Sequence, residues 1–180
     1  ISQYALAGFP NLTSILIPES VKTIGYSALG SNPNLSNIII KTYIPNMQQV
    51  FVESNALNMS VTLDYSGNVP YSAFSDKTNL ETVILGNLIT SVENNAFSGC
   101  SSLTSILIPD SVKSIAQYTF SGCSSLTSII IPGTLTTISE HTFSGCSNLT
   151  SVVIPEFVTT IGNYAFSGCS NLTSIVIPES

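Results

Sequence analysis

Apolar residues recur along this chain on a fixed grid, with neither a helical period nor a simple alternation running from end to end. Four series mark the grid: Phe97, Phe120, Phe143 and Phe166; Cys100, Cys123, Cys146 and Cys169; Leu103, Leu126, Leu149 and Leu172; Pro109, Pro132, Pro155 and Pro178. Each steps by 23 residues. A short fixed period is the signature of a solenoid, whose coils are too small to bury an apolar face alone and bury it against their neighbours. The earlier chain follows with Leu6, Leu29, Phe51 and Phe74 in the Phe column and Leu12, Leu35, Leu57 and Leu80 in the Leu column. Together these give about eight coils of 22–23 residues.

Within one coil, Leu103-Thr-Ser-Ile-Leu-Ile-Pro109 reads as a short strand, because it is rich in β-branched residues and alternates Ile106 and Ile108 with Ser105 and Leu107. Leu103, Ile106 and Ile108 are expected to point inward. Pro109 has no N–H to give a ladder, so the strand stops there and Pro-Asp-Ser turns. Val112 and Ile115 then re-enter the core from a second extended or one-turn segment, and Phe120 closes the coil. Gly99, Gly122, Gly145 and Gly168 stand where a positive φ costs least. Stacked at the strand spacing of about 4.8 Å, such coils make a curved rod with a parallel sheet along one side and no room for a long helix.

The strand phrase L-x-x-I-x-I-P, the return S-V-x-x-I and the turn A-F-x-x-C resemble the leucine-rich repeats of the BspA-like, Treponema pallidum-type family of surface proteins. The resemblance is strong over 80–180 and good over 1–40. It weakens over 41–79, where the I-P-x-S-V turn is missing and Leu63-Asp64 replaces Ile-Pro; that stretch is expected to bulge, kink or have drifted. The resemblance implies a right-handed leucine-rich repeat solenoid of the α/β horseshoe class, mostly β with short turns or 3-10 segments on the convex side. It also implies a surface-displayed adhesion or recognition array, and no particular ligand. The whole of 1–180 reads as one array. Both ends fall inside a coil, so a longer parent protein is expected.

Charge narrows the functions. Only 8% of residues are charged, with four Lys, no Arg and ten acids for a net charge of −6, so there is no basic footprint for nucleic acid or an anionic membrane. Apolar runs such as Ile129-Ile130-Ile131 fall far short of the ~20 residues that cross a bilayer.

Function is therefore sought on the outward faces. The residue between the two inward aliphatics forms the column Leu16, Ile39, Thr62, Ile84, Leu107, Ile130, Val153 and Val176, of which seven in eight are large and apolar. Beside it runs Ser14, Asn37, Ser60, Thr82, Ser105, Ser128, Ser151 and Ser174. A greasy stripe beside a hydroxyl ladder on a concave sheet is either a recognition surface for a protein such as a host or matrix component, or a self-stabilising ladder of β-branched side chains. The corresponding functions are a non-enzymatic extracellular adhesion module, secreted or held at the cell surface, and a structural spacer or self-associating segment.

Other features point less sharply. Glu19, Asp110, Glu156 and Glu179 line one rim after the prolines, where they either steer a basic ligand or keep a turn solvated; one acid per coil does not make a calcium site. The cysteines lack metal-ligand spacing, and their column holds Phe9 in the first coil, which suggests a buried apolar site. Adjacent pairs, 100 with 123 and 146 with 169, are near enough for disulfides but awkwardly oriented for them. Five Asn-x-Ser/Thr sequons, at Asn11, Asn34, Asn58, Asn148 and Asn171, are either glycan acceptors or the repeat phrase copied with each coil. His141, the single His, falls in an outward turn column with Tyr118 and Tyr164, far from any convergent acid, base and nucleophile. No enzymatic activity, cofactor or metal is expected.

Overall fold

A computed structural model describes residues 1–178. The chain is a parallel β-solenoid. Its main sheet runs through β1 (Ser14–Ile17), β2 (Asn37–Ile40), β3 (Met59–Leu63), β5 (Leu80–Leu85) and β7 (Ser105–Leu107), paired in that order. A second line of short strands holds β4 (Gly67–Val69), β6 (Ile89–Val92) and β8 (Ser114–Ile115). Further along, β9 (Thr137–Ile138) pairs with β11 (Thr160–Ile161), and β10 (Ser151–Val153) with β12 (Ser174–Val176). The only helix among the described residues, α1 (Met47–Val50), is a single turn, so none is long and apolar enough to cross a membrane.

Register follows the side-chain period. In β7 the burial pattern places Ile106 inside and Ser105 and Leu107 outside, with Leu103 and Ile108 also buried. The neighbouring ladder aligns Thr82 with Ser105 and Ile84 with Leu107, so each column runs straight from coil to coil. A one-residue slip would turn Ile106 to water, which is what fixes the alignment. Val112 accepts the turn by donating its N–H to the Pro109 carbonyl at 3.0 Å, and Ile115 returns to the core within β8.

The spine is aromatic. Phe51, Phe74, Phe97, Phe120, Phe143 and Phe166 stack with ring centroids 5.3–5.6 Å apart, the first five fully buried. Each buried ring contributes roughly 1.5–3 kcal/mol of burial, and the stacked pairs add about 0.5–1.5 kcal/mol.

Beside the spine, the turn has its own ladder. The N–H groups of Tyr118, Phe120 and Gly122 reach the carbonyls of Glu140, Thr142 and Ser144 in the next coil at 2.7–3.1 Å. Reaching forward in this way requires left-handed backbone at two places per turn. At Gly122, φ is +75°, and the equivalent Ser31, Glu53 and Asp76 adopt φ of 54–59° without the freedom of glycine. Tyr118, His141 and Tyr164, at φ of 54–58°, hold the other left-handed place. A side chain there works against Cβ sterics, and the ladder must outweigh that cost of about 1–2 kcal/mol per residue.

Three expectations need correction. Leu57 is not in the Leu column: coil three is one residue shorter before Phe51 and one longer between Phe51 and β3, so Met59 pairs with Leu80 and is buried, while Leu57 is pushed out to 82% exposure. Phe9 is 49% exposed, so it gives no support for a buried cysteine column. The sheet is not continuous, because no ladder joins β7 to residues 128–131, or those residues to β10. The irregular stretch 41–79 shows its departures as α1, a register shift at Met59/Ser60 and another at Gly67/Asn68.

Candidate functional site

The outward column lies on the sheet face as an exposed line. Leu107, Ile130 and Val153 are 57%, 79% and 67% exposed, and Leu16, Ile84 and Val176 also stand in solvent. Ile39 and Thr62 are only half-buried or half-exposed, so the stripe is thinner over β2 and β3. The strand ladders align Leu16, Ile39, Thr62, Ile84 and Leu107 on one sheet, and Val153 with Val176 on the other. In the adjacent column Ser105, Ser128 and Ser151 are exposed, and where the coils lie close Thr82 donates to the Ser60 hydroxyl at 2.6 Å. Apolar area is thus presented next to hydroxyls that can donate or accept.

At Ser128–Ile131 this face opens. Ile129 and Ile131 remain buried, but the N–H and C=O groups of these four residues have no hydrogen-bond partner among the described residues. The second strand line of the same coil also differs from its neighbours. Glu93, Ala116 and Gly162 each donate a backbone N–H to the preceding coil, at Val69, Val92 and Ile138, whereas Ser139 in the same place bonds the Ile115 carbonyl through its side-chain hydroxyl at 2.6 Å. Beside the opening lies a cleft of about 380 Å³ lined by the isoleucine run, Gly133, Val153 and Pro155.

A second cleft, of about 310 Å³, lies at the rim of the irregular coils, between Glu19, Lys41, Tyr43, Asp64 and Tyr65. Lys41 Nζ is 3.4 Å from Asp64, and the Tyr43 and Tyr65 rings meet edge to face at 6.0 Å. Burial, with the neighbouring Tyr43, keeps the Tyr65 phenol protonated well beyond its usual range, and its hydroxyl donates to the Asn68 carbonyl at 3.2 Å. Sequence reasoning missed this cleft, because Lys41, Tyr43, Asp64 and Tyr65 come from coils where the repeat phrase is lost and share no motif with Glu19 of the first coil.

Glu19, Asp110 and Glu156 are exposed on the rim, and Glu179 lies outside the described residues. No group of three or more His, Cys, Asp or Glu among the described residues is placed to hold a metal ion. All four cysteines are buried and free. Burial pushes the Cys100 and Cys146 thiols up to about 12 and raises Cys123 and Cys169 as well, so none is a ready nucleophile. Each thiol donates instead to a Phe carbonyl of the preceding coil, Cys100 to Phe74 at 3.0 Å and the others at 3.2 Å. In the coils without cysteine the same carbonyl column is served by Asn32, donating to Leu6, and by Lys77, donating to Phe51.

Tyr118, His141 and Tyr164 form a stacked column with centroids 4.6 and 4.9 Å apart, and Glu140 is 3.8 Å from His141. No cysteine joins them, the thiols being in the core. The five sequon asparagines are exposed, and Asn34 and Asn171 use their amides to bond neighbouring coils, at Pro10 and Asn148, instead of capping their own turns.

The model of the BspA type leucine rich repeat region matches residues 1–103 and 67–180. Among solved structures, a leucine rich repeat protein of T. pallidum shares 30% identity with a TM-score of 0.63, over 69% of this chain and 61% of that one. A leucine-rich repeat protein from Bacteroides ovatus shares 24% identity with a TM-score of 0.50, over 91% of this chain and 60% of that one, a likeness of fold. The chain spans about three fifths of the length of these two proteins. No curated protein matches it.

Proposed function

The chain belongs to the BspA-type leucine-rich repeat family, and from that premise we propose that it is an extracellular, non-enzymatic adhesion module that recognises a protein through its sheet face. The observation that carries this reading is the exposed line of Leu16, Ile84, Leu107, Ile130, Val153 and Val176 beside a ladder of serine hydroxyls. A globular core has no use for large aliphatics in solvent, and their burial against a partner is worth roughly 25 cal/mol per Å² before the costs of association. The hydroxyls give the rim of such a contact its hydrogen bonds. The partner is a host, matrix or cell-surface protein, and the line of equivalent positions spreads the contact over several coils.

The test is capture of purified matrix and host-surface proteins by the chain and by its Leu107→Glu/Ile130→Glu variant, both shown to be folded by circular dichroism. Capture weakened tenfold or more in the variant is expected. Undiminished capture by a folded variant removes the stripe from the interface. Light scattering on the same samples separates recognition from the spacer reading: a mass that rises with concentration, and falls back in the variant, assigns the stripe to self-association.

A further inference from the structure

The rim cleft of the irregular coils is built where the chain departs from its repeat phrase. In the regular coils the strand ends on a proline such as Pro109, and Ser111 follows two residues later. The ladder register carries the Pro109 column back through Gly86, Asp64 and Lys41. In place of prolines the rim therefore holds an ion pair, with Lys41 Nζ 3.4 Å from the Asp64 carboxylate and both side chains partly in solvent. In the Ser111 column stand Tyr43 and Leu88, both exposed, and the two face a cleft of about 310 Å³. Gly86 leaves the Asp64 carboxylate uncovered, since a β-carbon there would come within 3.1 Å of Asp64 Oδ1.

We propose that this cleft binds a neutral sugar, a pyranose ring with adjacent free hydroxyls. Charge and hydrogen-bond geometry sort the ligands. Glu19 and Asp64 outnumber Lys41 in the lining, so an anion meets excess negative charge, while a cation must displace Lys41 from Asp64. A wholly apolar ligand would strip water from the ion pair and return no hydrogen bonds. A single trans amide points its N–H and C=O in opposite directions and does not bridge the pair. Adjacent ring hydroxyls do, because each both donates and accepts: one accepts from Lys41 Nζ and its neighbour donates to Asp64. Such bonds to charged groups are the stronger kind. The C–H face of the ring then lies on the Tyr43 and Leu88 side chains. The Tyr65 hydroxyl is already spent on the Asn68 carbonyl and the Thr42 hydroxyl on the Val21 carbonyl, at 3.2 and 2.9 Å, so these residues shape the wall and leave the ion pair to read the ligand. The volume is at the small end of the ~300–1,000 Å³ of ligand clefts, which suits one or two rings.

The proposal does not rest on the sheet face, and the two readings fail separately. The probes are the methyl α-pyranosides of mannose, galactose and glucose, titrated against the whole chain and followed by saturation-transfer NMR on the sugar, with shifts of the Tyr43 ring locating the site. Saturable binding of at least one is expected. It should weaken tenfold or more in Asp64→Asn and in Tyr43→Ala, and stay within twofold of the parent in Tyr43→Phe. An exposed ion pair contributes little to stability, so these variants keep the fold, which circular dichroism checks. Tetrahydropyran-2-methanol, which has the ring without adjacent hydroxyls, should not bind. Binding should also persist in Leu107→Glu/Ile130→Glu, and its loss there would move the sugar to the sheet face and overturn the cleft. No binding of any of the glycosides, equal binding in Asp64→Asn and Tyr43→Ala, or equal binding of the ring analogue overturns the proposal. So does tighter binding of tetramethylammonium or acetamide, which would assign the cleft to a cation or an amide.

Discussion

Around Met59–Leu63 the sheet is hydrogen-bonded on both sides, to β2 and to β5, whereas around Ser128–Ile131 it is bonded on neither. The contrast runs against the repeat phrase. Coil three has lost the proline turn, shortened before Phe51, gained α1 and expelled Leu57, yet its strand is whole. Coil six repeats the phrase Ser-Leu-Thr-Ser-Ile-x-Ile-Pro in full and its ladder is open. Regularity of the phrase secures the inward columns, and both coils keep them: Met59, Val61 and Leu63 in one, Leu126, Ile129 and Ile131 in the other. Ladder closure is a separate matter, set by the distance and alignment of neighbouring backbones.

The largest test of this contrast is at the spine. Between coils five and six no ladder joins either strand line, and the stacked Phe97 and Phe120, the turn ladder and side-chain bonds such as Thr134 to the Val112 carbonyl hold the coils together. Phe120→Ala should cost about 3–5 kcal/mol and split urea unfolding into two transitions. Phe74→Ala, between laddered coils, should destabilise within one transition. A single transition in both variants would mean that the opening does not weaken cooperation between coils.

A smaller effect is expected at alkaline pH. The thiols are all in the regular half, and burial raises their pKa from 9.0, for Cys100 and Cys146 to about 12. The unfolded chain therefore loses thiol protons before the folded one. Stability is greatest below the unfolded value and declines as pH rises from about 9 towards 12. Tyr65, in the irregular half, has the same sign but starts from 10.0. Between pH 9 and 10 the regular half should therefore loosen first, read by hydrogen exchange in its turn ladder. Equal loosening at β3 would dissociate the effect from the thiols.

The smallest energetic effect, though a clear local one, is expected for Ser139→Ala. Amides of Ile129–Ile131 should exchange at least a hundredfold faster than those of Val61–Leu63 in the parent chain. Removing the interposed hydroxyl should let Ser139's position bond directly through its N–H and slow the exchange, while global stability changes by no more than about 1 kcal/mol. Exchange unaltered by Ser139→Ala would assign the opening to another cause.

The solenoid, its columns and the burial of Leu103, Ile106, Ile108, Val112, Ile115 and Phe120 were legible because each obeys a spacing that every coil repeats. Leu57 was misplaced because a deletion before Phe51 and an insertion after it cancel in the count, and only pairing with β5 shows where each occurs. The exposed stripe followed from strand alternation at Leu107 and its equivalents. The opening at coil six did not, since its strand phrase is the same as that of the laddered coils. Nor did the rim cleft, whose Lys41, Tyr43, Asp64 and Tyr65 are joined by contacts between coils and by no motif.

Asn32, Lys77 and the four cysteines send a hydrogen bond to the carbonyl twenty-six residues behind them. An amide, an ammonium and a thiol differ in size and charge, but the seat they fill asks only for one donor. The fastening between successive coils is therefore generic, and a copied coil brings its own fastener whichever coil it follows. Such an array can lengthen or shorten by whole-coil duplication and loss without redesign at the joint, so the number of coils is free to vary while the groups displayed on the outer face diverge one coil at a time.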